Sequence, residues 1–191
     1  MHARLLLWLP GMLLSAAALL RPWLEASMAR HMAIELPILF AVGFHAAVLC
    51  RAPMRHALVR WNAFGIPGLT ASALILGYWM LPVALDSAVL SPSAGMGEVV
   101  SMVLAGVLAG LSWRSAGIIV QAFFVLNWAW MTFVAGMLYH STPDQLCSVY
   151  LSNQQESAGL AMMALAAAVL MVWLFKAFRR HPRQFEEAPW L

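Results

Sequence analysis

Six long apolar segments constrain the fold of this chain more than any other feature of its sequence. They cover residues 5–20, 32–50, 64–85, 97–113, 116–138 and 158–178. A bilayer core about 30 Å thick is crossed by about 20 mostly apolar helical residues. Only 10% of the residues are charged, whereas a soluble domain carries about 25%. Because a backbone in lipid must satisfy its own hydrogen bonds, we expect a single all-α membrane bundle of about six transmembrane helices over residues 1–191.

The basic residues concentrate at one end of these predicted helices. Nine of the eleven fall on the side that holds both termini, and only Arg21 and Arg30 fall on the other side. Cationic loops stay in the cytoplasm, so we expect cytoplasmic termini and a multi-pass protein of the bacterial inner membrane. The nine are Arg4, Arg51, Arg55, Arg60, Arg114, Lys176, Arg179, Arg180 and Arg183. The basic balance therefore reflects membrane topology and gives no indication of nucleic-acid binding.

Six of the eight acids fall on the opposite side, which faces the periplasm. They are Glu25, Glu35, Asp86, Glu98, Asp144 and Glu156. The first segment, with Arg4 before an apolar run and small residues at 15–18, has some features of a cleavable signal peptide. Because Leu19 and Leu20 continue the run, we expect a retained helix. Cys50 and Cys147 fall at opposite ends of the bundle and cannot form a disulfide with each other.

Candidate metal ligands gather on the periplasmic side. His31 and Glu35 share a helix face, and a carboxylate within an apolar span is costly enough to indicate function. Thioether, thiol and imidazole groups suit Cu(I). The predicted ligands are His31, Met32, His140 and Cys147, with Glu35, Met96 and Glu98 as supporting residues. The alternative interpretation is that the methionines pack against lipid and helices, and that the histidines lie at the membrane interface.

A b-type haem site is a rival hypothesis. His45 follows His31 by fourteen residues, which is about 21 Å along a helix. Two haems would need partner histidines at both depths. His140 matches the outer depth, whereas His56 matches the inner depth poorly. The alternative for His45 is a histidine within the helical core that bonds a neighbouring backbone carbonyl.

Several segments resemble the CtaG-type assembly factors of caa3 cytochrome c oxidase. The similarity covers roughly residues 28–175 and is carried by short motifs. They are His31-Met32-Ala33-Ile34-Glu35, Leu81-Pro82-Val83-Ala84-Leu85-Asp86-Ser87-Ala88 followed by Ser91-Pro92, Gly95-Met96-Gly97-Glu98-Val99 before a helix ending in Trp113, and Gln154-Gln155-Glu156-Ser157-Ala158-Gly159. Glu35, Gly95 and Val99 stand where that family has histidine, while His31 and Glu98 match its pattern.

This resemblance implies a membrane assembly factor that handles copper for a respiratory or copper-containing enzyme, with other membrane proteins as partners. We expect no catalytic activity of its own, since the sequence offers no Ser/His/Asp set, phosphate loop or CxxC motif. Two other functions remain open at this point. One is a metal-free accessory subunit of a larger membrane complex, and the other is a b-type haem protein.

Overall fold

The computed structural model describes residues 2–49 and 61–180. Every regular element in these two stretches is a helix, which confirms the all-α prediction. The elements are α1 (His2–Glu25), α2 (Met28–Arg30, a π-helical turn His31–Glu35, and Leu36–Leu49), a 3₁₀ turn (Ala63–Gly65), α3 (Ile66–Trp79), α4 (Pro82–Leu90), α5 (Pro92–Trp113), α6 (Ile118–Ser141) and α7 (Ser152–Arg180). Several residues named above lie outside the described residues. They are Arg51, Arg55, Arg60 and Arg183, which were assigned to the cytoplasmic side, together with Cys50 and His56.

Three of these helices are long and apolar enough to cross a membrane, namely Pro92–Trp113, Ile118–Ser141 and Ser152–Arg179. A fourth candidate is a bent pair, Ala63–Trp79 with Pro82–Leu90, whose two halves meet at 75°. The chain therefore has the character of a membrane protein.

The bend divides the predicted third span, residues 64–85, into α3 and α4. Proline disfavours the helical conformation for the residue before it. Leu81 is accordingly extended, with φ −77° and ψ 134°, and Pro82 starts the next helix. Since proline has no N–H to donate, it is well suited to a first helical position. The predicted span thus bends at Leu81 and continues as a short second helix, α4.

Glycines set the closest helix crossing, between α2 and α5. A Cβ on Gly106 would overlap the backbone carbonyl of Phe40 and lie 2.7 Å from the amide nitrogen of Phe44. Gly110 stands just as close to Phe44, whose carbonyl oxygen would be 2.8 Å away. Gly106 and Gly110, four residues apart on α5, therefore serve helix packing, because only glycine lets the two backbones touch.

Candidate functional site

Five ionisable side chains meet between α1, α2 and α5 at the predicted outer end. His31 and Glu98 are 0% exposed and Glu35 is 1% exposed. His31 Nε2 lies 2.9 Å from Glu98 Oε1, and its Nδ1 lies 3.3 Å from Glu35 Oε2. Arg21 Nε donates to Glu25 Oε1 at 2.6 Å and lies 3.9 Å from Glu35 Oε1. The Nη2 atom of Arg21 lies 3.9 Å from Glu98 Oε2. We call these five residues the ionic cluster.

The π-helical turn carries two members of the ionic cluster. The Leu36 amide donates to the carbonyl of His31, five residues back, which is the π-helical pattern. Such wide turns are rare and are frequent at functional sites. Here the turn lies where α2 meets both α1 and α5, so the imidazole of His31 stands between Glu35 of its own helix and Glu98 of α5.

Gly95 makes room for the guanidinium of Arg21. A Cβ at this buried position would overlap the Arg21 side chain and lie 2.7 Å from the carbonyl oxygen of Ala88. Gly95 is one turn before Glu98 on α5, so the same helix supplies both a carboxylate and the space for its cation. An arginine from α1 occupies that space.

The three carboxylates of the ionic cluster outnumber its one guanidinium. With a neutral His31 and all three carboxylates ionised, the cluster would carry a net charge of −2. Burying uncompensated charge is costly, so the cluster requires protons or a cation. Three of its buried polar atoms also lack a hydrogen-bond partner, namely His31 Nδ1, Glu35 Oε2 and Glu98 Oε2. The 3.3 Å approach of the first two atoms does not have hydrogen-bond geometry.

The arrangement of the donors fits a metal ion. Glu25, His31 and Glu35 each offer one ligand atom, and these atoms lie within 4.8 Å of one another. In the neutral tautomer that carries its proton on Nε2, His31 donates to Glu98 Oε1 and keeps the Nδ1 lone pair free as a ligand. Imidazole and carboxylate together suit divalent ions such as Zn²⁺, Cu²⁺ and Fe²⁺.

A separate group of sulfur-bearing side chains lies next to the ionic cluster. Met28, Met32 and Met162 pack with Cys147 in one buried apolar group, and all four are at most 4% exposed. We call these four residues the sulfur cluster. Burial, together with the nearby carboxylate of Asp86, raises the pKa of the Cys147 thiol to about 12. The thiol is therefore protonated at neutral pH in the absence of an ion.

The loop of residues 142–151 covers the sulfur cluster and is held by hydrogen bonds to α1, α4 and α7. Gln155 of α7 accepts from the amide of Leu146 at 2.9 Å and donates to the carbonyl of Asp144 at 3.2 Å. Asp86 on α4 accepts hydrogen bonds from the amide and hydroxyl of Ser148, at 2.7 and 2.8 Å, and from the amide of Val149 at 3.3 Å. The hydroxyl of Tyr150 donates to the backbone carbonyl of Glu25 at 2.9 Å. The loop thus links α4 to the end of α1, beside the ionic cluster.

The predicted ligands fall into three places. His31 joins Glu35 and Glu98 in the ionic cluster, and Met32 joins Cys147 in the sulfur cluster. His140 belongs to neither cluster. Its Nδ1 lies 4.0 Å from Glu156 Oε1, and both of these side chains are solvent-accessible. Met96, which is 60% exposed, also lies outside both clusters.

Sequence reasoning missed Arg21 and Glu25 as members of the site. It treated them as charges at the membrane surface, although their spacing of four residues at the end of α1 indicates an ion pair. The expected carbonyl bond of His45 is confirmed, since its Nδ1 donates to the carbonyl of Ala41 at 2.8 Å. His45 is exposed, however, and does not lie in the helical core.

No curated protein and no solved structure matches this chain. One family model matches residues 7–180, a range that includes every residue of the ionic cluster and of the sulfur cluster. The match covers nine-tenths of the chain, and the chain therefore belongs to the family described as "Protein of unknown function (DUF1404)".

Proposed function

We propose that this protein binds one divalent metal ion in the ionic cluster and handles it for a respiratory or copper-containing membrane enzyme. The observation that carries the proposal is the grouping of Glu25, His31 and Glu35, whose ligand atoms lie within 4.8 Å of one another. Two of these atoms, His31 Nδ1 and Glu35 Oε2, are buried, 3.3 Å apart and without a hydrogen-bond partner, and a dication would bridge them. The link to enzyme assembly rests on the resemblance to CtaG-type factors.

Each member of the ionic cluster has a distinct part in this proposal. Glu25, His31 and Glu35 supply the ligand atoms. Glu98 orients His31 through the Nε2 hydrogen bond, as carboxylates commonly do for metal-bound histidines. Arg21 holds Glu25 in place and reduces the charge of three carboxylates to the value that a dication balances.

The proposed topology has six spans with both termini in the cytoplasm of a bacterial cell. It counts α1 and α2 as spans in addition to the three long helices and the bent pair. The excess of Lys and Arg on one side supports this orientation, which places the ionic cluster near the periplasmic surface. An ion would then be taken up from, or handed over to, the periplasm.

Metal analysis of protein purified in a mild detergent tests the proposal. The protein would be loaded with Zn²⁺ or Cu²⁺, desalted and assayed for metal per chain. We expect one ion per chain, and about a 10- to 100-fold weaker affinity in Glu98→Gln, which removes the carboxylate that orients His31. Glu156→Gln is the matched control, since that acid lies on the same side but outside the cluster. Absence of retained metal, or equal affinities in the two variants, would overturn the proposal.

A second candidate is Cu(I) capture by the sulfur cluster. The observation that favours it is the burial of three thioethers and one thiol in a single group, a donor set that suits Cu(I). Loading under reducing conditions with Cu(I), followed by the same assay in Cys147→Ser, separates the two sites. Loss of Cu(I) with retained Zn²⁺ in that variant would assign Cu(I) to the sulfur cluster.

The same preparation tests the two other functions. A Soret band would indicate a haem protein, and a stable complex with other proteins but without metal would indicate an accessory subunit.

A further inference from the structure

A long apolar cleft of about 940 Å³ runs between α2, α3, α5, α6 and α7. The cleft exists because α6 and α7 pack mainly on each other, and the main contacts of α7 with α2 are at Met28–Arg30 and the π-helical turn. One face of α7 lines the cleft, with Met162, Leu165, Val169, Val172 and Lys176 at alternating spacings of three and four residues. Fourteen residues of helix correspond to about 21 Å, most of the thickness of a bilayer core.

The charges of the cleft all have one sign and lie at one end. Arg114, just past the end of α5, and Lys176, in the last turns of α7, both line it. No carboxylate lines the cleft within the described parts of the chain. Neither cation forms an ion pair with another described side chain, and both are exposed. The polar Gln121 is already occupied, because its amide donates to the carbonyls of Trp113 and Ala116.

We propose that an anionic phospholipid occupies this cleft. Its acyl chain lies along the apolar face of α7, and its phosphate lies between Arg114 and Lys176. Both cations belong to the end that the distribution of Lys and Arg assigns to the cytoplasm. Basic pockets between helices on that side suit anionic lipid head groups. The volume is also within the range of ligand sites, which is roughly 300–1,000 Å³. This lipid site has no residue in common with the ionic cluster, although Met32 and Met162 of the sulfur cluster lie at its other end.

Lipid exchange with two defined lipids tests the head-group part of the proposal. Delipidated full-length protein would be titrated with phosphatidylglycerol or with phosphatidylcholine of the same acyl chains, and bound lipid would be counted by native mass spectrometry. We expect phosphatidylglycerol to bind at least tenfold more tightly. The double variant Arg114→Gln/Lys176→Gln should lose this preference. Arg179→Gln should keep it, because Arg179 lies over the ring of Phe175 and does not line the cleft.

A matched pair of space-filling variants tests the acyl-chain part. Ala168 and Ala167 are exposed neighbours on α7, and only Ala168 lines the cleft. Ala168→Trp should therefore reduce the bound count of both lipids, while Ala167→Trp should not. Equal lipid retention in these two variants would overturn the proposal. So would an unchanged preference for phosphatidylglycerol in the Arg114/Lys176 double variant.

Discussion

Substitution of Gly95 by alanine tests directly how tightly α5 packs against the ionic cluster. A Cβ at Gly95 would overlap the guanidinium of Arg21 and lie 2.7 Å from the carbonyl oxygen of Ala88. Arg21 can swing aside, but the Ala88 carbonyl is backbone and moves only with α4. Gly97, two residues further along α5, is the matched control, because a Cβ there would meet nothing within 4 Å.

The expected magnitude follows from these contacts. Both variants gain about 1 kcal/mol of helix propensity, which cancels in the comparison. Overpacking at Gly95 costs about 1–3 kcal/mol. Weakened ion pairs of Arg21, which is a quarter exposed, add at most about 1 kcal/mol. Gly95→Ala should therefore be about 1–4 kcal/mol less stable than Gly97→Ala.

Thermal unfolding of both variants in one detergent measures this difference. At roughly 2–4 °C per kcal/mol for a chain of this size, the unfolding midpoint of Gly95→Ala should lie several degrees below that of Gly97→Ala. Metal retention supplies a second measurement, since displacement of Arg21 alters the charge around the proposed ion. Coincident midpoints, with equal metal retention, would show that the space beside Gly95 is not filled as the structure has it.

Three further predictions concern the loop of residues 142–151 and the crossing between α2 and α5. In a Cys50→Ser background, iodoacetamide should label Cys147 slowly at pH 8, because burial raises the pKa of that thiol to about 12 and leaves it neutral; rapid labelling of folded protein would contradict this. Asp86→Asn should speed that labelling at least tenfold by removing the charge that holds the loop, whereas Asp144→Asn, an exposed acid of the same loop, should not. Gly106→Ala should lower the unfolding midpoint by several degrees, because its Cβ would overlap a backbone carbonyl of α2; an unchanged midpoint in the same thermal assay would contradict the close crossing.

The apolar segments predicted most of the helices because length and hydropathy are local properties of the chain. The last three predicted spans lie almost wholly within α5, α6 and α7. The bend in the third span was indicated by Pro82, although its 75° angle was not. Helix ends were less predictable, since α5 begins at Pro92 and α7 at Ser152, each several residues before its apolar run.

The candidate site was predictable where the contact is local. His31 and Glu35 are four residues apart, and the structure places their side chains together. The contact of His31 with Glu98 joins residues 67 positions apart, and it depends on how α2 crosses α5. That crossing is fixed by Gly106, whose role in packing could be foreseen but whose partner could not. The sequence therefore indicated which residue types could form a site, but not which helices bring those residues into contact.

The loop of residues 142–151 contacts both clusters. It covers the sulfur cluster through Cys147 and touches the ionic cluster through Tyr150, whose hydroxyl bonds the carbonyl of Glu25. The loop is also held by Asp86, which accepts from Ser148 and Val149, and by Gln155, which bonds Leu146 and Asp144. Neither Asp86 nor Gln155 belongs to the group of proposed ligands. If the ionic cluster binds an ion, we therefore expect these two residues to influence access, and the charges of Arg21 and the three carboxylates to influence affinity.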